Sequence, residues 1–165
     1  MKLATVLEDN IIESIVDGTG FRLVMFTQGC VHRCKGCHNA TTWDFNSGFE
    51  YSTHEIAQNL LLKYRKAKQF YSGITISGGD PLCQHEELLD LLRTLKEEEP
   101  DMNIWIYTGF ETDEVLEDFS DIVDYVDVFV TGKFILEQRD LSCKFKGSRN
   151  QEILDIKEKL IKKVG

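Results

Sequence analysis

Three cysteines fall within eight residues, in the stretch Gly29-Cys-Val-His-Arg-Cys-Lys-Gly-Cys-His-Asn39. Cys30, Cys34 and Cys37 make the pattern C-x3-C-x2-C. Three thiolates this close together can hold three corners of one small inorganic cluster. A 4Fe-4S site dedicated to electron transfer takes four cysteines. Here the local count stops at three, which leaves one iron open to bind a substrate, much as catalytic metal sites keep a vacant position. The competing reading is a structural zinc site, completed by His32, His38 or a distant Cys83 or Cys143. Structural zinc usually draws on ligand pairs well separated in sequence, and no second pair exists here. Spacing alone leaves both readings open.

The elements that must position these thiols can be read from the apolar pattern. Four short β-branched or aromatic runs predict strands: Arg22 to Phe26, Gly73 to Ile76, Asn103 to Tyr107 and Val126 to Val130. Between them lie helical patterns. Ser52 to Glu55 reads as a capping box, with Ile56, Leu60 and Tyr64 following on one face. Leu88, Leu91, Leu92 and Leu95 make a second stripe, and a shorter helix is expected from Thr112 to about Phe119. A last helix is expected to carry Ile153, Ile156 and Leu160, with Lys157, Lys159, Lys162 and Lys163 complementing its dipole. Strands alternating with helices predict parallel βα units with right-handed crossovers.

The strand exits are informative. They read Thr27-Gln-Gly-Cys, Ser77-Gly-Gly-Asp, Thr108-Gly and Thr131-Gly. Each puts glycine, usually beside a hydroxyl, at the carboxyl edge, where parallel α/β folds bind ligands. Glycine permits close backbone approach. Four such exits at one edge predict a single shared pocket.

The composition bounds the rest. The chain has 165 residues, 42% hydrophobic and 28% charged, an ordinary globular balance for one domain spanning 1–165. No apolar run reaches transmembrane length, and the N-terminus does not read as a signal peptide, so a cytoplasmic protein without a membrane role is expected. A net charge of -9 argues against a nucleic-acid partner, which calls for a basic footprint. Cys83 and Cys143 read as small semi-buried hydrophobes, Trp43 and Trp105 as core aromatics, and Pro81 as a turn residue.

The cysteine pattern after the first strand, followed by Ser77-Gly-Gly-Asp-Pro81, resembles the signature pair of radical S-adenosylmethionine enzymes. More closely, the chain resembles the family of anaerobic ribonucleoside-triphosphate reductase activating proteins. The matching blocks are Asp17-Gly-Thr-Gly-Phe-Arg22, the cysteine stretch, Thr42-Trp-Asp-Phe-Asn-Ser-Gly48 and Ser77-Gly-Gly-Asp-Pro-Leu82. Ile104-Trp-Ile-Tyr-Thr-Gly109, Gly132-Lys-Phe134 and Lys146-Gly-Ser-Arg-Asn-Gln151 follow in order.

This resemblance implies the radical S-adenosylmethionine fold, an incomplete TIM-type barrel of parallel βα units. It implies a 4Fe-4S cluster on Cys30, Cys34 and Cys37, whose open iron chelates S-adenosylmethionine. An electron from the cluster cleaves the sulfonium, and the 5'-deoxyadenosyl radical takes a hydrogen from one glycine of the reductase's large catalytic subunit. By the same resemblance Gly36, Cys37 and His38 lie by the adenine; strand-end carbonyls and Asp80 can accept from the cofactor's ammonium group, and Gly78 and Gly79 remove side chains that would block it. A flavodoxin or ferredoxin would supply the electron. The position of Thr131 is acidic in comparable relatives, so a polar or cation contact carried by that acid does not transfer to this chain by the resemblance. An activase of another glycyl-radical enzyme, such as pyruvate formate-lyase, is the nearest alternative, although such chains are usually longer. A 7-carboxy-7-deazaguanine synthase fits the C-terminal blocks less well. A non-catalytic zinc-binding module is the alternative from another class, and it offers no reason for Ser77-Gly-Gly-Asp-Pro81.

Overall fold

The computed structural model describes residues 1–159. In chain order the elements are β1 (Lys2–Leu3), α1 (Leu7–Asn10), β2 (Ile12–Ser14), β3 (Arg22–Thr27), β4 (Phe49–Glu50), α2 (Thr53–Lys66), β5 (Gly73–Gly78), α3 (His85–Glu98), β6 (Ile104–Tyr107), α4 (Thr112–Asp118), α5 (Ser120–Val123), β7 (Val128–Thr131) and β8 (Glu152–Asp155). Short 3-10 turns cover Ala40–Thr42, Pro81–Gln84 and Leu136–Gln138.

The four expected strands form the parallel centre of one sheet, in the order β3, β5, β6, β7. Around them the sheet runs β4-β1-β3-β5-β6-β7-β8, with β2 also paired to β3. The flanking pairings are all antiparallel. Among the described residues no pairing joins β4 to β8, so the sheet is open.

The crossovers form for local reasons. Ser52 Oγ accepts from Glu55 N at 3.1 Å, and the Glu55 carboxylate accepts from Ser52 N at 3.0 Å. This reciprocal cap satisfies two donors that a helix start leaves unpaired. Lys63, Arg65 and Lys66 then fall in the last turn of α2, where cations suit the dipole. Leu88, Leu91, Leu92 and Leu95 of α3 are fully buried. Burial of one such leucine contributes about 2 kcal/mol.

Because strand side chains alternate, the sheet has two different faces. Leu23, Met25, Ile74, Ile76, Ile104, Ile106 and Phe129 join the helices in the main core. On the other face Val24, Thr75, Trp105 and Val128 stand in register across four strands, all buried. Arg22 closes the amino-terminal end of that face and is itself fully buried.

The last expected helix begins later than its spacing implied. Ile153 belongs to β8, paired to Val130 of β7. The period there is two: Leu154 and Ile156 are buried while Ile153 is exposed. An edge strand beside β7 pairs that strand's outer backbone groups, which a helix could not do. Residues 156–159 are helical, and Leu160, Lys162 and Lys163 lie outside the described residues. No helix among the described residues is long and apolar enough to cross a membrane.

Candidate active site

The cysteine stretch leaves β3 as an irregular loop. Gly29, Arg33 and Gly36 all adopt positive φ, at 107°, 47° and 77°. Gly29 N donates to Thr42 O at 2.7 Å and Cys30 N to Trp43 O at 3.2 Å, which closes the loop on itself. Cys30, Cys34 and Cys37 line one cavity of about 140 Å³. Gly78 and Gly79 at the end of β5, Thr108 and Gly109 after β6, and Gly132 and Phe134 after β7 complete its wall. The four glycine-bearing exits therefore do meet in one place.

Burial pushes the Cys30 thiol up, with the backbone N–H groups of His32 and Arg33 partly offsetting it. Burial likewise raises Cys34, opposed chiefly by the Phe134 backbone N–H. Asn39 N donates to Cys37 Sγ at 3.4 Å. Thiols in such surroundings ionise when a metal is present to compensate the charge. Backbone N–H groups aimed at sulfur are also a normal outer shell for iron-sulfur clusters. Among the described residues no three histidine, cysteine or acidic side chains close on one point as ligands of a single ion. Three thiols around a shared cavity suit a multi-atom cluster as donors.

A second, wider groove of about 810 Å³ continues from this cavity. Both are lined by Cys37, Asn39, Ser77, Tyr107, Phe134 and Gln151. His38 lines the groove, its ring 5.9 Å from that of Phe134. Gly36 lines neither; a Cβ there would press on Leu136 at 2.9 Å. Burial pushes the Tyr107 phenol well up, so it stays protonated where it lines both spaces.

Gly78 and Gly79 have a packing reason as well as an access reason. A Cβ on Gly78 would lie 2.3 Å from Thr27 N, and one on Gly79 would lie 2.4 Å from Gly29 O. The ends of β3 and β5 approach too closely for any side chain there.

Asp80 departs from expectation. Its carboxylate is 1% exposed and does not line the cavity. Oδ1 accepts from Leu82 N at 3.0 Å, which caps the turn that Pro81 opens. Oδ2 accepts from Thr108 Oγ1 at 2.8 Å and Gly109 N at 2.9 Å, and lies 2.6 Å from His32 Nε2. The protein's own donors hold both oxygens.

Other residues differ from their sequence reading. Trp105 is a core aromatic, but Trp43 is only half-buried and lines the cavity. Cys143 is half-buried on the wall of the groove. Cys83 stays half-buried beside the cysteine loop, its thiol pushed up to about 12 by burial and by Asp80. Thr131 is buried and paired with Thr112 Oγ1 at 2.7 Å, fastening the exit of β7 to α4. Gln151 spans the base of the last loop: Nε2 donates to Gly132 O at 2.9 Å, and Oε1 accepts from Gly147 N at 2.8 Å. The Lys146-to-Gln151 block could have pointed to this clasp; the Thr108-Gly109 exit marks the edge where Tyr107 sits, but not its side chain as a wall of the site.

The fold and site define an α/β protein with a thiol-lined pocket at the carboxyl edge of a parallel sheet. A family model described as "4Fe-4S single cluster domain" matches residues 16–154. The anaerobic ribonucleoside-triphosphate reductase-activating protein of Vibrio cholerae is 38% identical over 84% of this chain and 90% of its own. That of Haemophilus influenzae is equally similar over the same shares. That of Escherichia coli strain K12 is 36% identical over 84% of this chain and 91% of its own. The chain belongs to the family of anaerobic ribonucleoside-triphosphate reductase-activating proteins.

Proposed function

We propose that this chain is a radical S-adenosylmethionine activase that generates a glycyl radical on the large catalytic subunit of an anaerobic ribonucleoside-triphosphate reductase. The observation that carries the reading is the meeting of Cys30, Cys34 and Cys37 with the glycine-bearing exits of β5 and β6 around one cavity. A 4Fe-4S cluster held there by Cys30, Cys34 and Cys37 would supply the one-electron reduction of S-adenosylmethionine that hydrogen-atom abstraction from the partner's glycine requires.

The chain's own residues serve three tasks in this reading. Cys30, Cys34 and Cys37 would hold the cluster as thiolates. The backbone at Ser77, Gly78 and Gly79 receives the cofactor's ammonium group, which needs carbonyl acceptors and no intervening side chain. Cys37 and His38 flank the adenine, His38 from the wall of the groove. The open sheet is an incomplete barrel, and its inner face, floored by Val130 and Tyr107, keeps water from the reacting atoms. The groove continuing outward past Phe134 and Phe145 admits the partner's loop. A flavodoxin or ferredoxin is the electron donor.

The test is a turnover assay with anaerobically reconstituted, reduced protein and S-adenosylmethionine, with and without the large subunit of a related reductase. The reading expects methionine and 5'-deoxyadenosine, and a glycyl radical on the reductase. Intact cofactor in every sample from protein that carries its cluster would overturn it.

A further inference from the structure

His32 sits midway between Cys30 and Cys34, and its side chain is only 6% exposed. Its ring stands edge-on to Phe110, with centroids 4.6 Å apart. Nε2 meets Asp80 Oδ2 at 2.6 Å, on the oxygen that also accepts from Thr108 Oγ1 and Gly109 N. Three chain segments are joined at this one oxygen: the cysteine loop, the exit of β5 and the exit of β6. The backbone repeats the join, as Asp80 N donates to Gly29 O at 2.8 Å and Gly79 N to Thr27 O at 2.8 Å.

The cysteine loop needs outside support. It has no regular backbone ladder between Cys30 and Asn39, and Arg33, next to His32, holds a positive φ of 47° without being glycine. Such conformations persist where the surroundings over-determine them. His32 is the residue of the Cys30–Cys34 interval whose side chain is anchored deep in the protein. Gly109 leaves it no slack, because a Cβ there would come within 2.4 Å of the His32 ring.

We propose that the His32–Asp80 hydrogen bond clamps the cysteine loop to the ends of β5 and β6 in the arrangement that an iron-sulfur cluster requires. Asp80 is then a positioning residue that acts through His32, and the cofactor's ammonium group is left to backbone carbonyls. The inference rests on the proposed function in taking the three thiols as cluster ligands. Groups that orient metal ligands from outside are worth about 10- to 100-fold in metal retention.

The experiment compares iron release to a chelator from anaerobically reconstituted wild type, His32→Ala, His32→Gln, Asp80→Asn and Gly109→Ala. Circular dichroism melts of the metal-free proteins control for folding. The clamp predicts about tenfold faster iron release from His32→Ala and Asp80→Asn. The double variant should release iron no faster than either single one. His32→Gln keeps a donor and should recover most of the retention. Gly109→Ala, which keeps His32 but displaces its ring, should behave like His32→Ala. Wild-type release rates in His32→Ala and Gly109→Ala would overturn the clamp. So would an Asp80→Asn protein that keeps its iron and loses affinity for S-adenosylmethionine, since Asp80 would then touch the cofactor. A wild type that assembles no cluster would overturn the proposed function along with the clamp; a wild type that loads while all variants release iron at its rate would overturn the clamp alone.

Discussion

Arg22 and Trp105 close the sheet face opposite the main core together, with the guanidinium carbon 5.5 Å from the indole centroid. The guanidinium is fully buried, and among the described residues it has no carboxylate partner in its hydrogen bonds. Its Nε donates to Thr75 Oγ1 at 2.9 Å, and one terminal nitrogen donates to Ile74 O and to Asn103 O and Oδ1 at 2.7 to 3.1 Å. Burial lowers its pKa to about 10, still far above neutrality, so the charge persists. Arg22→Met keeps the length but strands buried acceptors, and should cost about 3 kcal/mol of folding stability. Trp105→Ala should cost about 3–5 kcal/mol. Urea denaturation of both single variants and the double variant reads the pair. The double variant should lose less than the sum, because the cation–π contact is counted in both singles.

Gly79→Ala tests how closely the exits of β3 and β5 approach. The added methyl would lie 2.4 Å from Gly29 O, one residue before the first cysteine of the loop. Backbone has to move, so about 1–3 kcal/mol of stability should be lost together with iron-binding capacity. Denaturant midpoints and iron content after reconstitution measure the two effects.

Cys83 should resist alkylation in the metal-free protein. With its thiol pushed up to about 12, Cys83 is almost entirely protonated at pH 8 and half-buried as well. Its thiolate fraction there is about 10⁻⁴, and the thiolate is the nucleophile. Mass spectrometry after brief iodoacetamide treatment should find Cys83 essentially unmodified at pH 8 and increasingly modified as the pH is raised toward about 11.

Much of the fold was legible because its signals are local. The Ser52 cap, the α3 leucine stripe and the four β-branched runs each carry their own periodicity, and the structure realises all of them. The glycine-bearing strand exits predicted a shared pocket, since parallel topology brings carboxyl ends together. What escaped the sequence depends on contacts distant in the chain. Ile153 and Ile156 have helical spacing, but pairing with β7 imposes a strand through residue 155. His32 and Asp80 are separated by 48 residues, and nothing local marks them as partners. Asp80 lies in a motif that resemblance assigns to the cofactor, so its engagement with four protein donors became visible only in three dimensions.

Acid stability offers a further test, at Glu99. Arg65 and Lys68 hydrogen-bond its carboxyl and hold it below the ordinary glutamate range. A lowered folded-state pKa contributes stability at pH values above the unfolded one, about 4.3, and loses it as pH falls through the folded value. Glu99→Gln should therefore be less stable than wild type at pH 7, by up to about 1 kcal/mol because both cations are half-exposed. Its stability should also fall less steeply below pH 5. Thermal melts across about pH 3–7 compare the two slopes.

The most direct test of the central claim is electron paramagnetic resonance of the anaerobically reconstituted, reduced protein, recorded with and without S-adenosylmethionine. The account predicts a reduced 4Fe-4S signal whose shape changes when the cofactor is added. It also predicts that the signal is absent from Cys30→Ala, Cys34→Ala and Cys37→Ala and present in Cys83→Ala and Cys143→Ala. A protein that binds only zinc, or a cluster signal indifferent to the cofactor, would contradict it.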